Sequence, residues 1–347
     1  LTRSRDVSAV QNNLGVAIPP MAAGKNAVIN GGFDIWQRGT STSTSQAFAA
    51  DRWQVYLGSG TATWSRQSVS DSTNLPNIQY CLRAQRNSGQ TTTSVLYVWS
   101  NQETVNCIPF AGKTVTFSYY ARAGANYSSA SNALTLTIRR GTGTDQNAWL
   151  TGYTGNTETS ATATLTTTWQ RFTTTFTMPS DMTEFSPAFF YTPTGTAGAN
   201  DYFEVTGVQL ELGSSATPFS RAGGTIQGEL AACQRYYQRL AADATSYIAS
   251  LGLALSNLTT EAILYLYPKQ TMRTLPTLAV SAVGNFYLSD LIASANYTPT
   301  AITLNTIRTT TNGIFVVVTV ASGLTTGRFY SMQANVSTGY LELSAEL

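Results

Sequence analysis

The sequence predicts an all-β protein: a jelly-roll β-sandwich, then one bridging α-helix, then a smaller C-terminal β-sandwich. Three observations predict it. Short apolar runs recur at roughly regular spacing, closed by turn residues, with no crossover helices between them. Threonine supplies 54 of the 347 residues and charged side chains only 11%, against about 25% in an ordinary soluble protein. Threonine is β-branched and polar, which suits the wet face of a strand whose neighbours pack inward. One long stretch, after Arg221, changes to helical spacing. The chain therefore divides into a connector (1–24), a jelly roll (25–220), a bridging helix (221–246) and a C-terminal sandwich (247–347).

In the connector, Ser4 is placed to cap a short helix with Val7, Val10 and Leu14 on one face. Gly15 ends it and Pro19-Pro20 forces extended chain. Two turns do not hold a helix alone, so this stub gains meaning where copies associate or a larger body supports it. Residues 26–37 form an apolar run interrupted by Gly31-Gly32, which permits a bulge or a close backbone approach. Trp36 and Trp53 bracket a Ser/Thr loop and are placed to anchor it to the core.

Further strands are expected at 52–57, 62–67, 80–85, 95–101, 113–121, 133–139, 162–168, 169–178, 186–191 and 202–210. Alternation is cleanest in 169–178, where Phe172, Thr174, Phe176 and Met178 share one face. Pro179 closes that strand. After Arg221, Ile226, Leu230, Cys233, Tyr237, Leu240 and Ala244 repeat at 4-3-4-3-4, a heptad seam, with Thr225 as N-cap. The seam either packs on its own sandwiches or lines an axis between subunits. Strands return at 246–255, 261–267, 277–282, 285–288, 301–306, 313–320, 328–334 and 339–344.

Several function classes drop out. The chain has no histidine, which removes Ser-His-Asp and Cys-His nucleophile pairs, His-rich zinc sites and an imidazole switch. Net charge is +2 with scattered Lys and Arg, which speaks against a nucleic-acid face. No apolar run approaches the roughly 18 residues of a membrane span, so no membrane insertion is expected. The opening Leu1-Thr2-Arg3-Ser4 lacks a signal-peptide pattern and an initiator Met, so an N-terminal part missing or removed is expected. Cys81, Cys107 and Cys233 are an odd set that leaves a free thiol. Cys81 and Cys107 share a domain and could pair; the alternative makes all three small buried hydrophobes, in keeping with assembly in a reducing cytoplasm. No cofactor is expected.

The run Gly24-Lys25-Asn26-Ala27-Val28-Ile29-Asn30-Gly31-Gly32-Phe33-Asp34-Ile35-Trp36-Gln37-Arg38-Gly39-Thr40, followed by Ala50-Asp51-Arg52-Trp53, resembles the opening of a family of tailed-bacteriophage fibre and virion structural proteins. Val208-Gln209-Leu210-Glu211-Leu212-Gly213, Ala216-Thr217-Pro218-Phe219 and Glu229-Leu230-Ala231-Ala232-Cys233-Gln234-Arg235-Tyr236-Tyr237 are similar to a second signature of that family. The ending Gly339-Tyr340-Leu341-Glu342-Leu343-Ser344-Ala345-Glu346-Leu347 is similar to its chain ends. The resemblance implies a virion fibre assembled in the host cytoplasm, joined to other virion proteins through the N-terminal segment. With the heptad seam it leads us to expect a homotrimer, a tail fibre that contacts host surface glycans for adsorption. A head fibre or decoration protein with an assembly role is the alternative. A secreted carbohydrate-binding module is a third reading, which the chain's opening residues and the virion-like motifs disfavour.

The first domain also resembles carbohydrate-binding jelly rolls at its framework strands: residues 30–34, 113–123, Trp169-Gln170-Arg171-Phe172 and Val208-Gln209-Leu210-Glu211. That resemblance implies the fold, not retained sugar binding. In many such jelly rolls an acid on the first strand helps hold a structural calcium with an acid on the last. Asp34 fits the first position; the matching one falls near Thr206 or Gly207, neither an acid.

Sugars are gripped by flat aromatic faces together with amide and carboxylate hydrogen bonds. A candidate is therefore an aromatic in a loop or on a wet face. Trp149 and Tyr153 meet this in the polar stretch 145–153, and Tyr97 and Trp99, two apart, share one strand face. Tyr127 and Tyr191 are lesser candidates. The competing assignment for each is buried core or subunit contact, because aromatics dominate sandwich cores. Glycosidase chemistry would need a carboxylate pair. Asp34 with Asp51, or Glu204 with Glu211, are available, and the latter, seven apart, face opposite ways unless a bulge intervenes. No enzymatic turnover is expected.

Overall fold

Strand alternation builds the first unit as the sequence predicts. The computed structural model of the chain describes residues 24–241 and 249–347, which divide into two units, the second being Cys233–Glu346 and the first the remainder. The stub at 1–23 lies outside the described residues. In the first unit the strands are β1 (Ser41–Thr42), β2 (Gln54–Leu57), β3 (Ala62–Ser68), β4 (Tyr80–Arg86) and β5 (Leu96–Trp99). A single turn, α1 (Thr104–Cys107), precedes β6 (Thr114–Ala123), β7 (Ala133–Gly141), β8 (Thr157–Thr164), β9 (Gln170–Thr177), β10 (Glu184–Tyr191) and β11 (Tyr202–Leu212).

These strands pair in a six-stranded sheet, β1-β3-β4-β11-β6-β9, and a five-stranded sheet, β2-β5-β10-β7-β8. The fold is an all-β jelly-roll sandwich. Trp64, Phe117, Phe203 and Leu210 from one sheet meet Val55, Val98, Leu136 and Phe189 from the other in one core. Tyr119 packs edge-on against Phe189 across the layers, ring centroids 4.8 Å apart. Each such buried side chain contributes about 1.5–3 kcal/mol. Met178 is buried beyond the end of β9, while Thr173, Thr175 and Thr177 are exposed.

Two stretches of this unit differ from expectation. Residues 26–37 are turns rather than a strand, with Asn30 and Phe33 at positive φ (57° and 52°). The cause is side-chain competition for the backbone: the Asn30 amide accepts from Ile35 N–H and donates to Ile35 and Asp51 carbonyls. A Cβ on Gly31 would lie 2.0 Å from the Val208 carbonyl oxygen, so the expected close approach is real. Trp36 and Trp53 are buried and donate to the Phe33 and Asn30 carbonyls, as anchors should. The strand expected at 162–168 instead occupies Thr157–Thr164. Leu165, the one large apolar side chain in the stretch 157–168, is buried just past the strand's end rather than within it.

The bridging helix is shorter than the seam implied. Helix α2 covers Ile226–Gln234, not 221–246. The Thr225 hydroxyl accepts from Gly228 N–H, so Thr225 caps it as expected. Tyr237 and Leu240 lie in a strand, β12 (Tyr237–Ala241), and Ala244 lies outside the described residues. Pairing decides this: residues 237–241 align antiparallel with β21 (Tyr340–Ser344), which supplies their backbone partners outside a helix. Of the seam residues in α2, Ile226 is exposed, Leu230 half-buried and Cys233 buried. The helix is anchored by buried Glu229, whose carboxylate accepts from Asn30 and Gly223 N–H groups.

The C-terminal sandwich therefore begins at Tyr237, not at 247. Its other strands are β13 (Ala249–Leu258), β14 (Glu261–Leu266), β15 (Thr277–Val280), β16 (Phe286–Asp290), β17 (Ala295–Tyr297), β18 (Pro299–Leu304), β19 (Ile314–Val320) and β20 (Phe329–Ala334). They form a three-stranded sheet, β12-β21-β15, and a seven-stranded sheet, β17-β16-β20-β13-β14-β19-β18. Leu264, Val316, Val318, Met332, Leu341 and Leu343 fill its core. All three cysteines are buried, and Cys81 and Cys107 do not pair with each other.

Candidate functional site

The outer face of the five-stranded sheet gathers what the sequence scattered. Antiparallel register sets Tyr56 opposite Tyr97, Tyr97 opposite Phe190, and Phe190 opposite Thr135. The next row on the same face runs Gln54, Trp99, Ala188, Thr137 and Ser160, and then Ser186, Arg139 and Glu158. Aromatics thus crowd the β2-β5-β10 side and polar groups the β7-β8 side.

The loop 145–153 lays Trp149 over that face. Asn147 holds the turn, its side-chain oxygen accepting from the Trp149 and Leu150 N–H groups at 3.1 Å each. Its amide donates to Gln54 at 2.9 Å, and Ala148 N–H donates to the Asn101 side chain at 3.1 Å. Gly152, at φ 81°, donates back to the Asn147 carbonyl at 3.0 Å. The Trp149 indole N–H donates to Ser186 Oγ at 3.3 Å. The loop is built on hydrogen bonds, so the indole is positioned before any ligand arrives.

The result is a cleft of about 360 Å³ lined by Gln46, Tyr56, Tyr97, Trp99, Arg139, Trp149 and Leu150. Tyr97 lies 5.2 Å from Trp149 and 6.3 Å from Tyr56, ring centre to ring centre. Trp99, 1% exposed, forms the floor, 6.3 Å from Trp149. Arg139 stacks its guanidinium 3.7 Å from the Trp149 ring centre and donates to the Ala148 carbonyl at 2.8 Å. Burial pushes the Tyr97 phenol up, with Glu158 adding to the shift and Arg139 opposing it. At neutral pH it stays a hydrogen-bond donor. The cleft offers rings, two phenols, an amide and a guanidinium, and no carboxylate lines it.

Of the four sequence candidates, Trp149, Tyr97 and Trp99 converge here. Tyr153 does not. It is 7% exposed and lies under Gly141, where a Cβ would come within 2.7 Å of it. The Gly152 turn reverses the chain after Trp149 and sends Tyr153 inward. Tyr127 and Tyr191 are buried against each other at 4.6 Å. Tyr56, Gln46 and Arg139 were not singled out from sequence. Tyr56 and Arg139 were findable in part, since each falls on the outward phase of an expected strand.

The acids are engaged elsewhere. A bulge between Thr206 and Gln209, with Gly207 at φ 58°, turns Glu204 and Glu211 to the same outer face of the six-stranded sheet. Glu204 takes Arg83 at 2.6 Å as well as Arg122, and Glu211 takes Gln209 and Thr217. Asp34 accepts from Arg221 Nε at 2.7 Å, and Thr206 Oγ1 donates to the Tyr80 carbonyl. These residues do not fit a calcium ion. Among the described residues no cluster of three or more His, Cys, Asp or Glu side chains is placed to hold a metal.

No family model and no curated protein matches the chain. Among solved structures, it is similar to TmCBM61 in complex with β-1,4-galactotriose (TM-score 0.34, 10% identity, 54% of this chain and 99% of that one). It is also similar to the enzymatically active domain of tailspike protein 4 from bacteriophage CBA120 (TM-score 0.36, 12% identity, 54% of this chain and 21% of that one). A third is the CBM22-1 xylan-binding domain of Paenibacillus barcinonensis Xyn10C (TM-score 0.31, 12% identity, 56% and 98%).

Proposed function

We propose that the chain is a bacteriophage virion fibre protein, a tail fibre, whose first unit binds host surface glycan through the cleft of Tyr97, Trp99 and Trp149. The observation that carries this is the cleft itself: preset aromatic rings around polar donors, open on a sheet face. Pyranose rings present C–H faces to aromatics and hydroxyls to donors, and the cleft offers both complements. The virion assignment is supported by the motifs at 24–53, 208–237 and 339–347. The fibre works as a homotrimer outside the cell, attached to other virion proteins through its N-terminal segment. It binds glycan without cutting it.

A single shallow sugar site is worth about millimolar Kd, near −4 kcal/mol. Copies on a trimer, and several trimers on one particle, raise avidity by about 10²–10⁴ without a new contact. The test is adsorption: particles carrying Trp149→Ala should assemble normally but adsorb poorly, and free host glycan should compete with wild type. Normal adsorption by that variant overturns the reading.

A second reading, a head fibre or decoration protein with an assembly role, has one observation in its favour. Leu253, Tyr265 and Phe329 share the outer face of the seven-stranded sheet, 59%, 50% and 62% exposed. Exposed apolar side chains gathered on one face suit a protein contact. Normal adsorption by Trp149→Ala particles would favour this alternative.

A further inference from the structure

We propose that the cleft selects carboxylated glycans, such as uronate- or sialate-bearing chains, with Arg139 receiving the sugar carboxylate. This rests on the glycan-binding reading above and names its substrate class. Arg139 is the one charged side chain lining the cleft. Its guanidinium plane is fixed from two directions, by the Trp149 ring at 3.7 Å and by the Ala148 carbonyl at 2.8 Å from Nη1. Nε reaches Glu158 only at 3.4 Å, the loose end of a hydrogen bond. Glu158 is 50% exposed, and Nη2 donates to no described residue.

Two adjacent N–H groups of one planar guanidinium are thus free or weakly held, the fork geometry that a carboxylate accepts. An incoming sugar carboxylate displaces a solvated, poorly placed Glu158 rather than a tight buried partner. Arg139 also covers one face of the Trp149 indole. A neutral sugar then has less bare ring to stack on than the residue count suggests, and is left with Tyr97, Tyr56 and the remaining Trp149 edge.

The test is calorimetric titration of the full chain with paired probes: trigalacturonate against its carboxyl-reduced form, and sialyllactose against lactose. At least one acidic probe should bind about tenfold more tightly than its neutral partner, and the preference should shrink as sodium chloride is raised. Arg139→Gln should abolish the preference, Arg139→Lys should keep part of it, and Glu158→Gln should strengthen acidic binding by removing the competing carboxylate. Equal binding of acidic and neutral probes, lost together in Trp149→Ala, overturns the charge selection and leaves the cleft reading standing. Acidic preference that survives Arg139→Gln also overturns it. Binding of no probe, or binding untouched by Trp149→Ala, overturns the cleft reading and the selection with it.

Discussion

The two outer faces of the first sandwich use the same ingredients, arginines on aromatic rings, to opposite ends. On the six-stranded face, Arg83 lies 4.0 Å from the Tyr202 ring centre and Arg122 5.1 Å from that of Trp169. Both close on Glu204, whose side chain has no exposure. Arg171 stacks on Tyr120 and donates to Ser118 and the Thr217 carbonyl. On the five-stranded face, Arg139 has a ring but only a loose, exposed carboxylate, and the rings beside it stand around open space. A charge that the fold satisfies is structure. A charge that the fold positions and leaves partly unsatisfied is available to a ligand.

Breaking the closed face should produce the largest effect. Glu204→Gln leaves two arginines side by side without their shared anion, and removing one partner from a buried ion network costs about 3–5 kcal/mol. The arginines are 22% and 32% exposed, which places this variant at the lower end, roughly 3 kcal/mol. Urea unfolding should show the loss, while the protein that remains folded keeps its glycan affinity. An unchanged midpoint would mean that the cluster is ornamental, and the contrast between the faces would fail.

Tyr153→Ala comes next. Truncating a buried aromatic costs about 3 kcal/mol, so thermal unfolding should shift well down. A variant as stable as wild type but unable to bind glycan would return Tyr153 to the site. Trp149→Ala should do the reverse. Only half-buried, it should cost about 1 kcal/mol of stability but at least tenfold in glycan affinity, because the site loses its overlying ring. Comparable losses of stability from both variants would erase the distinction between the wall of the cleft and the core.

The smallest effect is on pH dependence. Burial pushes the Glu229 carboxyl up, only partly offset by the N–H groups of Gly223 and Asn30. The folded state therefore holds its proton to higher pH than the unfolded chain does. Stability should fall as pH rises from the ordinary carboxylate range through the raised folded value. Glu229→Gln should flatten that slope, measured as unfolding midpoints from pH 4 to 7. Burial raises Glu184 as well, so some slope should remain in the variant. A slope that Glu229→Gln leaves unaltered would assign the dependence elsewhere.

The strands were legible because side-chain alternation is local. β9, with Phe172 and Phe176 facing in and Thr173, Thr175 and Thr177 facing out, needed no knowledge of its neighbours. The end of the helix was not legible, because a 4-3-4-3 spacing is the same for one helix and for a helix followed by a strand; the pairing of 237–241 with Tyr340–Ser344 lies a hundred residues away. The same limit split the site. Trp149, Tyr97 and Trp99 were visible as aromatics in a polar loop or on one strand face. Tyr56 and Arg139 join them only through register across β2, β5, β10 and β7. Tyr153 misled because the reversal at Gly152 depends on hydrogen bonds to Asn147, not on any pattern of hydrophobicity.

The central claim is that the open face of the five-stranded sheet is the glycan-binding surface. Hydrogen–deuterium exchange of the full chain, with and without polysaccharide extracted from the host envelope, tests it most directly. Protection should appear in Leu96–Trp99, around Arg139 and across 145–150, and should vanish in Trp149→Ala. Protection confined to the six-stranded face or to the second unit, or none at saturating polysaccharide, would contradict it.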